Sequence, residues 1–215
     1  MKKEVLSIAL PKGRILQEAI GLFSKIGVEI GHILEDPRRL VFELPDKGMR
    51  FMLIRTQDVP VYVEYGAADM GIAGKDVLCE QGRDLYEPLD LGIGRCRMVV
   101  AEPKELKERD NPAGWTHLKI ATKYPNITTR YFLERGIEVE IIKLYGSIEL
   151  APLFGLSERI VDLVQTGETL RKNGLVEVET IMDVTAKLIC NRASLKRKPS
   201  QVKDLIERLR GVVEG

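Results

Sequence analysis

An α/β chain of two lobes is the fold the sequence predicts, on three observations. Strand-like and helix-like patterns alternate almost throughout, the order strand, helix, strand, helix, strand occurs twice, and a stretch broken by glycine and proline joins the two series. Alternation of this kind implies mostly parallel sheets covered by helices.

The elements follow in order. VLSIAL reads as a strand; after PKGR, the residues Ile15, Leu16, Ala19, Ile20, Leu22, Phe23 and Ile26 keep helical spacing up to a stop at Gly27. RLVFEL, RFMLIRT and ADMGIAG are further strands, with DVPVYVEYG a short helix between the last two. The second series runs KIATKY (strand), ITTRYFLERG (helix), VEIIKLY (strand), SIELAPLFGL (helix) and RIVDLV (strand). Residues 86–103, YEPLDLGIGRCRMVVAEP, carry the interruptions expected where a chain crosses between lobes. IMDVTAKLICNRASL is strand-like again, and Ser200 is placed to cap a last helix with Val202, Leu205, Ile206, Leu209 and Val212 or Val213 as its apolar stripe. The expected division is a discontinuous first lobe, residues 1–91 and 178–215, and a second lobe, residues 92–177, carrying a phosphate loop. Two crossings between lobes make a hinge around a central cleft, a common place for a ligand.

Composition narrows the function classes. The 215 residues hold 33 Lys plus Arg against 32 Asp plus Glu, a formal charge of +1, so no general field draws the chain to nucleic acid or a membrane surface. Cys79, Cys96 and Cys190 are odd in number and widely spaced, against a disulfide framework or zinc site and in favour of a reducing cytoplasm. At the N-terminus, Pro11, Lys12 and Arg14 interrupt the apolar run before a signal-peptide core forms. No stretch approaches membrane-spanning length.

The stretch IVDLVQTGETL, Ile160 to Leu170, carries the chemistry. A parallel strand ending in Thr-Gly-x-Thr directs backbone N–H groups and the hydroxyls of Thr166 and Thr169 at one small volume beyond the sheet edge, which suits a phosphate; Gly167 permits a positive φ there. Read locally, an ordinary strand-to-helix loop with a capping Thr fits equally well. Asp162 inside the strand wants a partner, a sugar hydroxyl or a hydrated magnesium ion. ALPKGR places Lys12 and Arg14 after another strand, where they can neutralise phosphates, against the plain alternative of a solvated turn. GIAGKD ends a third strand, and for it alone a hairpin or C-cap turn is the better reading. His32 and His117 have no neighbours in sequence that suggest nucleophilic catalysis and read as surface or structural residues.

Together ALPKGR, DVPVYVEYGAADMGIAGKDVL, ATKYPN, YGSIELAPLFGL and VDLVQTGETLRKNGL resemble the ATP phosphoribosyltransferase family over nearly the whole chain, from about Leu6 to Asn191. The resemblance implies transfer of the ribose phosphate of phosphoribosyl pyrophosphate to the adenine ring of ATP, releasing pyrophosphate with Mg2+ present. It implies two α/β lobes similar to type II periplasmic binding proteins. Carried over residue by residue, it puts Thr166, Gly167, Glu168 and Thr169 on the 5′-phosphate, Asp162 by the sugar, and Glu149 and Asp90 at the ribose or its metal. Arg14 and Arg55, with Lys12 in support, are expected on the polyphosphates and departing pyrophosphate, and Arg38 is expected to reach an active site across a homodimer interface. No direct protein ligand to a metal is expected. The adenine ring nitrogen already has a lone pair, so alignment and charge neutralisation rather than proton abstraction should carry the attack.

The length resembles the short form of the family, which works with a regulatory subunit similar to histidyl-tRNA synthetase in a hetero-octamer. Two other readings stay open: a non-catalytic two-lobed binding protein, and a phosphoribosyltransferase for another base. Enzymes of the latter kind usually carry two adjacent acids where this chain has Asp162 and Leu163.

Overall fold

The computed structural model describes residues 4–36, 38–107, 111 and 114–215. In chain order its elements are β1 (Leu6–Pro11), α1 (Arg14–Lys25), β2 (Val41–Leu44), β3 (Met49–Ile54), α2 (Val59–Glu64), β4 (Met70–Gly74), α3 (Lys75–Gln81), β5 (Tyr86–Asp90), β6 (Cys96–Pro103) and α4 (Lys104–Lys107). There follow β7 (His117–Thr122), α5 (Pro125–Leu133), β8 (Glu138–Lys143), α6 (Leu150–Leu153), β9 (Arg159–Val164), α7 (Glu168–Lys172), β10 (Leu175–Val184), β11 (Ala186–Cys190), α8 (Arg192–Arg197) and α9 (Pro199–Val213). The chain divides into two units: residues through Leu78 with Gly82–Gly94 and Thr185–Gly215, and Arg95–Val184 with Cys79–Gln81.

The first unit is built on a six-stranded sheet of order β2-β3-β1-β4-β11-β5. β1 runs parallel to β3 and β4, while β2, β11 and β5 pair antiparallel. Period-2 alternation sends Leu6, Ile8 and Leu10 of β1 to one face. There they join Phe23 of α1 and Val202, Leu205 and Leu209 of α9. Ala9 turns to the other face with Val59 and Val63 of α2. Gly71 in β4 is required by that contact, since a Cβ there would stand 2.9 Å from both valines. Phe23 meets Phe51 edge to face at 5.2 Å, the arrangement the aromatic quadrupole favours.

The second unit is built on a five-stranded sheet of order β10-β6-β9-β7-β8. β9, β7 and β8 pair parallel, and β6 runs antiparallel between β9 and β10. Val161 and Ile120 face a core with Tyr131 and Phe132 of α5. Ile160, Ala121 and Val164 face the opposite core, which Leu170 of α7 and Ala151 of α6 complete. Glu80 closes the start of α5: its carboxylate accepts from the backbone N–H groups of Asn126 at 3.1 Å and Ile127 at 3.0 Å, satisfying first-turn donors.

Four expectations need correction. The sheets are mixed rather than mostly parallel, because β6 in one and β11 and β2 in the other run against their neighbours. Residues 178–184, assigned to the first lobe, form most of β10 in the second sheet, so the chain changes unit after Val184. Ser200 is not a cap: α9 starts at Pro199 with Lys198 before it, and proline's missing N–H suits that first position. GIAGKD is neither hairpin nor C-cap turn; Gly74 passes directly from β4 into α3.

Candidate active site

The phosphate-loop sequence folds as a strand-to-helix junction. β9 ends at Val164, Gly167 adopts φ 73°, and α7 begins at Glu168. Thr166 Oγ1 accepts the Glu168 backbone N–H at 3.4 Å, and the Arg171 guanidinium donates to the Thr166 carbonyl at 3.0 Å. Behind the turn, Arg97 grips Glu177 through three contacts of 2.8–3.2 Å. A Cβ on Gly167 would stand 3.0 Å from Glu177 Oε1 and 3.1 Å from an Arg171 nitrogen, so a side chain there would have to displace both by a few tenths of an ångström.

Around this turn lies a cavity of about 260 Å³, lined by Glu149 and the continuous run Asp162 to Leu170. Asp162 reaches it because it shares a face of β9 with Ile160 and Val164, the face that α6 and α7 cover. Ser147, two residues before Glu149, is the one described non-glycine with positive φ, at 50°, a strained conformation that turns the chain into the start of α6. Burial raises the Asp162 pKa to about 6; the Glu149 charge adds to the rise, while the Leu163 backbone N–H, 2.8 Å from Oδ1, and the Lys123 ammonium oppose it. Thus the structure brings together Glu149, Asp162, Thr166, Gly167, Glu168 and Thr169.

The remaining candidates share one edge of the first unit's sheet. The register pairs Pro11 with Ile54, so Lys12 and Arg55 leave β1 and β3 side by side, and the Lys12 backbone N–H donates to the Ile54 carbonyl at 2.9 Å. Gly13, at φ 102°, turns the chain into α1, which opens with Arg14; its guanidinium donates to the Gly94 carbonyl at 3.3 Å and lies 3.9 Å from Glu18. Antiparallel pairing of β2 with β3, extended by Leu53 donating to the Leu40 carbonyl, returns the exposed turn carrying Arg38 to the same edge. Asp90 ends β5 there. Its Oδ2 accepts from Lys187 at 2.6 Å and Thr185 at 2.9 Å, and its Oδ1 from the Gly92 backbone at 3.0 Å. Burial alone would raise the Asp90 pKa, but the Lys187 hydrogen bond and these others outweigh it and hold the carboxyl below its ordinary value. No group of three or more His, Cys, Asp or Glu among the described residues is poised to hold a metal ion.

Sequence reading missed Lys187 and the Arg97–Glu177 pair, which antiparallel registers bring to these edges from distant positions. It also passed over Lys123, although it sits inside the motif ATKYPN.

The fold places the chain among two-unit α/β proteins that include a substrate-binding protein of an amino acid ABC transporter, to which it is 12% identical with a TM-score of 0.57 over 98% of this chain and 92% of that one; this likeness concerns the fold alone. Closer kinship comes from three findings. The family model described as HisG: ATP phosphoribosyltransferase matches residues 55–211. An ATP phosphoribosyltransferase of Geobacter metallireducens is 61% identical over 206 residues, 96% of this chain and 97% of that protein. The solved ATP phosphoribosyl transferase (HisG:HisZ) complex from Thermotoga maritima contains a chain 36% identical with a TM-score of 0.82, covering 98% of this chain and 99% of that one. The chain belongs to the ATP phosphoribosyltransferase family.

Proposed function

We infer that this chain transfers the 5-phosphoribosyl group of phosphoribosyl pyrophosphate to the adenine ring of ATP, releasing pyrophosphate, as the first step of histidine biosynthesis. The observation that carries this is the single cavity shared by the Thr166–Thr169 turn, Asp162 and Glu149 in a member of this family. The turn takes the donor's 5′-phosphate through its amides and hydroxyls, and Asp162 and Glu149 take the ribose hydroxyls. Ionised, Asp162 accepts from a hydroxyl at both oxygens and more strongly than when protonated, so its raised pKa ties donor binding to pH.

Adenine attacks the anomeric carbon with a ring-nitrogen lone pair; the new N–C bond forms as the bond to the diphosphate oxygen breaks, and the electron pair leaves with pyrophosphate. Arg14, Arg55 and Lys12 neutralise the polyphosphates and that leaving group, and Arg38 serves a neighbouring subunit of a homodimer. Mg2+ fits as an ion carried mainly on substrate phosphates, because it keeps several waters and needs only one or two carboxylates; Glu149 and Asp162 would be those. It supplies charge neutralisation at the diphosphate.

The Thermotoga maritima HisG:HisZ complex supports a second kind of subunit as partner; in our reading this is a regulatory subunit similar to histidyl-tRNA synthetase, in a hetero-octamer. None of the described helices is long and apolar enough to cross a membrane. A cytoplasmic setting fits the three free cysteines.

Pyrophosphate release tests the reading: protein, donor and Mg2+ are mixed with ATP or another acceptor base, with and without the regulatory subunit. Release with ATP alone is expected. Release with a different base selects another phosphoribosyltransferase, and none with any acceptor leaves only a binding protein.

A further inference from the structure

We propose that Lys123 is a donor-binding residue of this active site, its ammonium engaging the diphosphate of the phosphoribosyl donor. The proposal rests on the reading that the Thr166–Thr169 turn holds the donor's 5′-phosphate.

Strand register places it. β7 runs parallel to β9 with Ala121 opposite Ile160 and Thr122 opposite Val161. One residue on, Lys123 lies beside Asp162, and by alternation on the same face, where Ala121, Ile160 and Val164 form the core under α6 and α7. The turn is held from below. The Thr122 hydroxyl, fully buried, donates to the Val161 carbonyl at 2.7 Å and accepts the Tyr124 backbone N–H at 2.9 Å. Tyr124 in turn is buried in the opposite core, and its carbonyl accepts from Thr128 at 2.7 Å. A half-buried lysine between two such anchors has little freedom to point elsewhere.

Charge supplies the second argument. The other cations at this edge are engaged: Arg97 with Glu177, Lys172 with Glu168, Arg171 with the Thr166 carbonyl, and Lys143 with the Tyr145 ring. Among the described residues Lys123 has no hydrogen-bond or ion-pair partner, and its field already acts on Asp162. The start of α5 cannot serve an anion instead, because the Glu80 carboxylate takes its first amides. A donor fixed at its 5′ end by the β9 turn and at its hydroxyls by Asp162 presents its remaining anionic group to the neighbouring strand. That group is the diphosphate, and the cation waiting there is Lys123.

Calorimetric titration of the full chain with the whole donor, with pyrophosphate plus Mg2+, and with ribose 5-phosphate tests this. In Lys123→Met, affinity for donor and pyrophosphate should fall about 10-fold to 100-fold, the range for losing one charge-assisted hydrogen bond. Ribose 5-phosphate should bind within about twofold of wild type, Lys123→Arg should restore most of the loss, and KM for ATP should not change, because the contact is to one phosphoryl end only. Lys123→Gln serves in place of the methionine variant if that one fails to fold. Unchanged donor binding, or equal loss of ribose 5-phosphate and pyrophosphate, overturns the proposal. A Thr166→Ala/Thr169→Ala variant separates the two readings: normal donor binding there sinks the phosphate-turn reading, whereas lost ribose 5-phosphate binding there, beside normal pyrophosphate binding in Lys123→Met, sinks only the role of Lys123.

Discussion

Glu177 stands guard over Gly167: its Oε1 lies 3.0 Å from the point a Cβ on that glycine would occupy, and Arg97 fixes it there from the far side at 2.8 Å. An alanine at 167 therefore meets two obstacles at once. The φ of 73° costs a side-chain-bearing residue about 1–2 kcal/mol, and the new methyl pushes on a salt-bridged carboxylate rather than on a free side-chain end. Gly167→Ala should lower the melting temperature by a few degrees and raise KM for the donor at least about tenfold, with KM for ATP unchanged. Thermal melts and steady-state kinetics with each substrate varied check both halves.

Arg55 leaves β3 exposed, with no side-chain partner among the described residues, beside Lys12. Its loss should leave stability alone and strike turnover. We expect Arg55→Ala to lower kcat by about 10²–10³, the scale for removing one preorganised donor of charge stabilisation. A variant with wild-type melting and near-normal kcat would remove Arg55 from the reaction.

Elements with one-sided periodicity were legible in the sequence. The stripe of α9 at Val202, Leu205, Ile206 and Leu209 is buried as its spacing requires. The Thr-Gly-Glu-Thr turn was legible as a strand-to-helix junction because glycine and hydroxyl residues after an apolar run favour turns. β10 was not: its ten residues, LVEVETIMDV, mix acids among apolar residues and leave two register shifts against β6, so no clean period-2 pattern survives. Strand direction was equally hidden, since alternating patterns do not say which strand returns antiparallel. The Asp90–Lys187 pair joins positions 97 residues apart, and only the β11–β5 register brings them together.

Asp162 makes a prediction about pH. Its folded pKa, about 6, lies above the ordinary 3.8, so the native state binds a proton more tightly than the unfolded chain. The sign follows: this residue's contribution is most favourable below about pH 4 and is lost as pH rises through about 6, where burying the charge becomes a cost. Relative to Asp162→Asn, the wild type should lose melting temperature between pH 4 and 6.5 and hold a constant difference above that. Donor affinity should move the opposite way, improving as Asp162 ionises, and in the asparagine variant this limb should vanish. Parallel melts and donor titrations from pH 4 to 8 read both effects.

The ion pair between Arg159 and Glu102, 2.9 Å apart with side chains 4% and 0% exposed, predicts a large loss of stability in the second unit when one partner is removed. Arg159 also lies 4.4 Å from the ring of Trp115, the only tryptophan in the chain. Replacing the arginine alone removes the guanidinium that lies 2.9 Å from a fully buried carboxylate, which costs about 3–5 kcal/mol, whereas replacing both residues with apolar ones of similar volume removes the buried charges and can be nearly neutral. Arg159→Met should therefore unfold at markedly lower denaturant with altered Trp115 emission, and Arg159→Met with Glu102→Leu should regain much of the difference. Urea titrations followed by tryptophan fluorescence give the comparison directly, and a double variant no more stable than the single one would mean that the cost lies in packing against Trp115 rather than in the buried charge.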